Sequence, residues 1–190
     1  MKRTLGISIM ATVALFASAC GSGEEATQTE TGTETSTESN SSAERGGTST
    51  ITFALPDGVS EVADYSPTDG WTKSYTDNPE NPTIVIRVSD DLGRTPDADS
   101  TVGVLRGEAM LNGAYGPDWS PGEVEKLEVD NADIGIEYSF STKQEDADIT
   151  GTWFLLSHDE SETVAGVEVI GTDVSPALVS QIRDSLEYTP

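Results

Sequence analysis

Apolar residues are laid out along this chain in three ways, and each predicts something different. The first is a run: Leu5 to Phe16 is twelve mainly apolar residues behind Lys2 and Arg3. As a helix it would rise ~18 Å, well short of the ~30 Å hydrocarbon core of a bilayer, so it is expected to be a removable export signal and not a span. The second is near absence: Gly21 to Thr50 is Gly, Ser, Thr and Glu with no aromatic residue. Such a stretch cannot bury enough surface to offset its ordering entropy, which predicts a disordered tether over residues 20–50. Its six Glu against Arg45 should extend it by self-repulsion. The third is alternation, from Ile51 onward.

Ile51, Phe53 and Leu55 alternate with Thr52 and Ala54, a strand stopped by Pro56-Asp57-Gly58. Trp71 to Tyr75, between Asp69-Gly70 and Asp77-Asn78-Pro79, predicts a second strand. After Pro82, Ile84, Ile86 and Val88 point one way while Thr83, Val85 and Arg87 point the other, a third. A helix is predicted over residues 100–111, with Asp97 and Asp99 near the positive end of its dipole and Val102, Leu105 and Ala109 on one face. Gly103 and Gly107 inside it each cost about 1 kcal/mol relative to Ala; they predict either close approach to a sheet or a shorter helix. Residues 113–122 read as a loop carrying Tyr115 and Trp119.

Leu127 and Val129 are expected to end a short strand. Ile134, Ile136, Tyr138 and Phe140 then alternate with Asp133, Gly135, Glu137 and Ser139, one face buried and one wet. Thr152 to Leu156 is apolar on both faces and should be central, and Val164 to Ile170 should pair with it antiparallel across a polar loop. Ser175 is a good N-cap, Pro176 suits a first helical position, and Leu178, Val179, Ile182 and Leu186 form one stripe. Two helices this far apart do not fit regular βαβ alternation. The pattern predicts one α+β domain over residues 51–190 with a mainly antiparallel sheet.

Charge narrows the partners. Acidic residues outnumber basic ones 34 to 10, a formal charge of -24. That argues against nucleic acid, whose phosphates need Lys and Arg to displace counterions, and against electrostatic adhesion to anionic lipid. The acids are spread along the domain, so their plainer meaning is solubility and mutual repulsion; recognition of cationic partners is the sharper alternative.

After the apolar run stand Leu15-Phe16-Ala17-Ser18-Ala19-Cys20-Gly21. Small residues before a cysteine resemble the lipobox of bacterial lipoproteins. The resemblance implies a signal over residues 1–19, cleavage before Cys20, a diacylglycerol thioether on its sulfur, and acylation of the new amine. The protein would then sit on the outer face of the cytoplasmic membrane, held by lipid on Cys20. Ala17 stands where that family favours Leu, and Ala17-Ser18-Ala19 also satisfies the A-x-A pattern of ordinary signal peptidase, which would release a secreted protein. Cys20 is the only cysteine in the chain, and a lone thiol in an exported protein needs a reason; lipidation supplies one.

The domain, in turn, resembles the PsbP-like α/β/α sandwich, and within it the LpqN-type lipoproteins of actinobacterial envelopes. The matching residues are Phe53-Ala54-Leu55-Pro56-Asp57-Gly58, like that family's opening F-x-L-P-x-G, the Ile84 to Val88 strand before a helix, and the closing Ile182-Arg183-Asp184-Ser185-Leu186. Where many members carry an aromatic after the opening glycine, Val59 stands here. The resemblance spans Ile51 to Tyr188 and implies a non-catalytic envelope protein that docks a partner or ligand, with no catalytic residue to carry over.

The chemistry of the residues agrees. His158 is the only histidine, it sits in the loop-like Ser157-His158-Asp159-Glu160, and no G-x-S-x-G elbow accompanies it. One His and a committed Cys20 leave no zinc site. Asp130-Asn131-Ala132-Asp133-Ile134-Gly135 lacks an EF-hand ligand at Ala132 and a bidentate Glu in register. No P-loop is present, so no metal, cofactor or catalytic residue is expected. Binding is the better expectation, and Trp71, Tyr115 and Trp119 are its candidates, because an apolar body with a polar tip suits an interface. Covering the core is their plainer use. A carrier or enzyme for lipid or glycan, with a cavity under Gly103, Gly107 and Ala109, is the alternative.

Overall fold

A computed structural model describes residues 44–190. The export signal, Cys20 and the tether as far as residue 43 lie outside the described residues. The domain begins before Ile51. Strand β1 (Arg45–Gly47) pairs antiparallel with β2 (Ile51–Ala54), Arg45 opposite Ala54 and Gly47 opposite Thr52. Periodicity could not reveal β1, because two of its three residues have no side chain to alternate. What holds it is backbone: Tyr75 Oη accepts from Gly47 N at 2.8 Å and donates to Gly47 O at 3.1 Å.

The main sheet has seven strands, every neighbouring pair antiparallel. In chain order they are β3 (Ser60–Glu61), β4 (Lys73–Thr76), β5 (Ile84–Ser89), β6 (Ser120–Lys126), β7 (Ile134–Gln144), β8 (Ala147–Ser157) and β9 (Val164–Gly171), and across the sheet they run β3-β4-β5-β9-β8-β7-β6. The central position expected for Thr152 to Leu156 holds: β8 lies between β9 and β7 and is buried from Gly151 to Ser157. A second sheet, β1-β2-β10, is closed by β10 (Glu187–Tyr188).

The large sheet is covered on both faces. On one lie Ile51 and Phe53 of β2, Tyr188 of β10, and Leu178 and Ile182 of helix α2 (Pro176–Asp184), packed on Ile86, Val88, Phe154, Leu156, Val167 and Val169. On the other lies helix α1 (Ala98–Asn112), whose Ala98, Val102, Leu105 and Ala109 cover Ile136, Tyr138, Phe140, Trp153 and Leu155. The result is a three-layer sandwich of the α+β class. Asp97 caps α1 by accepting from Ser100 N at 2.7 Å, and Gly113, at φ 65°, ends it.

Three expectations change. Helix α1 is longer than its glycines suggested; Gly103 and Gly107 have open space where a Cβ would stand, so they face outward and neither admit a sheet nor leave a cavity. The strand expected to end at Leu127 and Val129 is β6, which starts at Ser120, three residues earlier than the loop boundary allowed, stops at Lys126 and is exposed throughout. With neither face buried it shows no alternation; its ladder to β7, bulged between Pro121 and Val124, carries it. Helix α2 stops at Asp184, and Leu186 reaches the core after the helix has ended.

The turn between β4 and β5 hangs on Asp77. Its carboxylate accepts from Thr83 Oγ1 at 2.7 Å, Ile84 N at 2.9 Å and Thr83 N at 3.0 Å. Burial pushes its pKa up, but those bonds outweigh it and pull the value from 3.8 down to about 2. A depressed carboxylate stabilises the fold above its unfolded value and ceases to as pH falls through the folded one. Asp77→Ala should therefore cost about 1–3 kcal/mol at neutral pH. In acid titrations of unfolding the gap from wild type should close between pH 3.8 and about 2; a gap that persists below that range contradicts this account.

Candidate functional site

The register of three central strands sets a row of unlike side chains across the α1 face. Arg87 of β5 stands opposite Glu168 of β9, and Glu168 stands opposite Trp153 of β8. Trp153 stacks in turn on Tyr138 of β7, centroids 5.2 Å apart and planes 16° apart. A glutamate at the middle of an apolar sheet is costly unless its charge is met. Glu168 is wholly buried, and its Oε1 accepts from Tyr115 Oη at 2.5 Å and Trp153 Nε1 at 3.0 Å. Arg87 Nε lies 3.0 Å from Oε2, a contact of charges without an aligned hydrogen bond, so Oε2 has no hydrogen-bond donor among the described residues.

Tyr115 reaches this row from the loop after α1. Gly113 and Gly116, at φ 65° and 92°, let the chain turn twice in four residues, and Thr142 Oγ1 donates to Tyr115 O at 2.6 Å. The ring lies 5.0 Å from Phe140 and 5.8 Å from Trp153. Burial, and next the charge of Glu168, hold the phenol protonated far above the usual tyrosine range. Tyr115 is thus a fixed donor to Glu168.

Arg87 marks where the cluster meets solvent. Its side chain keeps 28% exposure, and among the described residues no acceptor takes a hydrogen bond from its Nη1 or Nη2. Two cavities flank it, sharing Arg87, Ala114 and Tyr115 as walls. The first, about 310 Å³, has Trp71 and Leu105 as apolar lining and Asp69, Arg94, Glu108 and Asn112 as polar lining. Arg94 forms its rim, donating from Nη1 to Glu108 Oε1 and from Nη2 to Asp69 O, both at 2.8 Å. The second, about 380 Å³, opens between Gly116-Pro117 and the Thr142–Glu145 end of the β7–β8 hairpin.

Of the three aromatics expected to bind, Trp71 and Tyr115 meet at the first cavity. Trp71 is only 2% exposed and mainly fills the core, held by the tight turn in which Trp71 N donates to Thr68 O at 2.9 Å. Trp119 stands apart. It is half-buried beside Phe140 in a different cleft, with the exposed Met110 and Leu111, and its Nε1 is buried without an acceptor among the described residues. His158 is in a loop as expected, its Nε2 3.7 Å from Asp133 Oδ2 and its Nδ1 accepting from Glu160 N, remote from both cavities. Among the described residues no cluster of three metal-ligating side chains forms. Arg87 and Glu168 were not singled out from the sequence, although each is a lone charge inside an apolar strand, Ile-Val-Ile-Arg-Val and Val-Ala-Gly-Val-Glu-Val-Ile.

No protein-family model matches the chain, and no curated protein matches it. Among solved structures it is similar to the solution structure of cyanobacterial PsbP (CyanoP) from Synechocystis sp. PCC 6803. That match has 12% identity and a TM-score of 0.52, and covers 77% of this chain and 92% of the other. A protein of unknown function, PA94 from Pseudomonas aeruginosa, described as a putative regulator, matches at 12% identity and a TM-score of 0.37, over 68% of this chain and 80% of that one. The fold is therefore PsbP-like, as the resemblance implied. Identity this low carries the architecture alone.

Proposed function

We propose that the chain is a lipid-anchored cell-envelope protein of the LpqN type, held through Cys20 on the outer face of the cytoplasmic membrane, and that its domain is a non-catalytic binding module. The observation behind the binding half is Arg87: a guanidinium fixed at Nε by a wholly buried glutamate, its outer edge turned to two cavities. Glu168 is the one carboxylate at the centre of the cluster, and it is already engaged by Tyr115, Trp153 and Arg87. That favours holding charge over moving protons. The small size and charged lining of the cavities favour a compact polar ligand, or a polar group of an envelope partner, over an acyl chain. Leu105 and Ala109 fill the space under α1 that a lipid carrier would need.

The anchor is tested by Cys20→Ala, which should move the protein from the membrane fraction to the medium; unchanged membrane association would sink the lipoprotein reading. The binding half is tested by native mass spectrometry of the detergent-purified full chain. A small polar species should remain on wild type and be missing from Arg87→Lys, and equal spectra for the two would count against it.

A further inference from the structure

The first cavity beside Arg87 is built for a particular balance of charge. Its wall offers the Nη edge of Arg87, a planar fork suited to a carboxylate accepting two parallel bonds. Arg94, on the same wall, adds a second positive charge, its Nη1 and Nη2 bonded to Glu108 Oε1 and Asp69 O. Facing these cations are Asp69 and Glu108, and Glu108 uses Oε1 on Arg94 while Oε2 has no hydrogen-bond partner among the described residues. Trp71 and Leu105 supply an apolar floor.

Long-range charge makes the next selection. At a formal charge of -24 the chain repels a simple anion, and the carboxylates of the cavity would do so again at close quarters. A lone cation would meet Arg87 and Arg94. A molecule carrying both signs is opposed by neither field. A volume of about 310 Å³ sits near the lower end of the roughly 300–1,000 Å³ typical of ligand pockets, which calls for a compact one.

Resting on the reading of this cavity as a binding site, we infer that its ligand is a small zwitterion of the α-amino acid class. The carboxylate lies on the free edge of Arg87, the ammonium on Glu108, and the side chain on Trp71 and Leu105. Trp71 then reports occupancy, because its indole is part of the floor.

The test is calorimetric titration of the full chain, with tryptophan emission followed in parallel, using glycine, L-leucine, 4-methylpentanoate (no ammonium) and 3-methylbutylamine (no carboxylate). L-leucine should bind saturably and shift the emission, and each single-charge analogue should bind about tenfold or more weakly. Glu108→Gln should weaken L-leucine and, by removing a like charge, bind 4-methylpentanoate at least as well as wild type, while Arg87→Lys, which keeps the charge beside Glu168 but loses the fork, should remove both. Binding of 4-methylpentanoate as tight as L-leucine, lost in Arg87→Lys, overturns the zwitterion and keeps the cavity. No saturable response to any of the four up to ~10 mM, from a chain that melts cooperatively, overturns both.

Discussion

Replacing Glu168 with Ala should remove about 3–5 kcal/mol of unfolding free energy, the largest effect expected of any change at the candidate site. The substitution leaves three donors facing an apolar space: the Tyr115 hydroxyl, the Trp153 indole N–H and the Arg87 guanidinium. Domains of this size are stable by only about 5–15 kcal/mol, so roughly a fifth or more of the margin would go. Two companions separate charge from packing. Glu168→Gln keeps an acceptor for Tyr115 and Trp153 and should lose less than Glu168→Ala. The double change Arg87→Met with Glu168→Leu removes both charges and should be closer to wild type than Glu168→Ala, because an apolar pair often replaces a buried ion pair at little cost. Urea unfolding of the four proteins decides it. A loss below about 1 kcal/mol for Glu168→Ala would mean that the cluster does not hold the sheet together.

Gly151→Ala should cost about 1–3 kcal/mol, although it adds a single methyl group. Gly151 of β8 lies directly opposite Phe140 of β7, and a Cβ there would collide with the Phe140 ring. The ring cannot simply swing aside, since its centroid is 4.7 Å from Trp153, 5.0 Å from Tyr115 and 6.3 Å from Trp119. Adding Phe140→Leu to Gly151→Ala should recover part of the loss, a coupling that a double-mutant cycle would measure. Additive losses would show that the ring and the new methyl do not compete for one space. Because Tyr115 packs on the same ring, Gly151→Ala should also loosen the wall that Tyr115 gives the cavities.

How much could be read without coordinates follows from where each signal is stored. Strands β7, β8 and β9 and helix α2 were legible because burial is written into their own side chains as alternation, apolar continuity or a stripe. Strands β1 and β6 were not. One has glycines in place of side chains, and the other is exposed on both faces, so backbone pairing to a neighbour defines each of them. The candidate site divides the same way. Trp71 and Tyr115 stand out by residue type, and they do meet at one cavity, whereas Trp119 does not join them. Arg87 and Glu168 were visible as misplaced charges, but their partnership depends on β5 lying beside β9. That adjacency is a property of the topology, with α1 and three strands of sequence in between. The outward set of Gly103 and Gly107 likewise depends on helix phase, and a glycine has no side chain to declare it.

Strand β6 leaves the large sheet with an open margin. Pro121 has no N–H to offer there, the bulge after it breaks the regular spacing of donors, and Glu123, Glu125 and Lys126 crowd the rim with charge. An incoming copy therefore finds no zipper to close, so dense packing of many molecules on one surface should give separate neighbours and not fibrils.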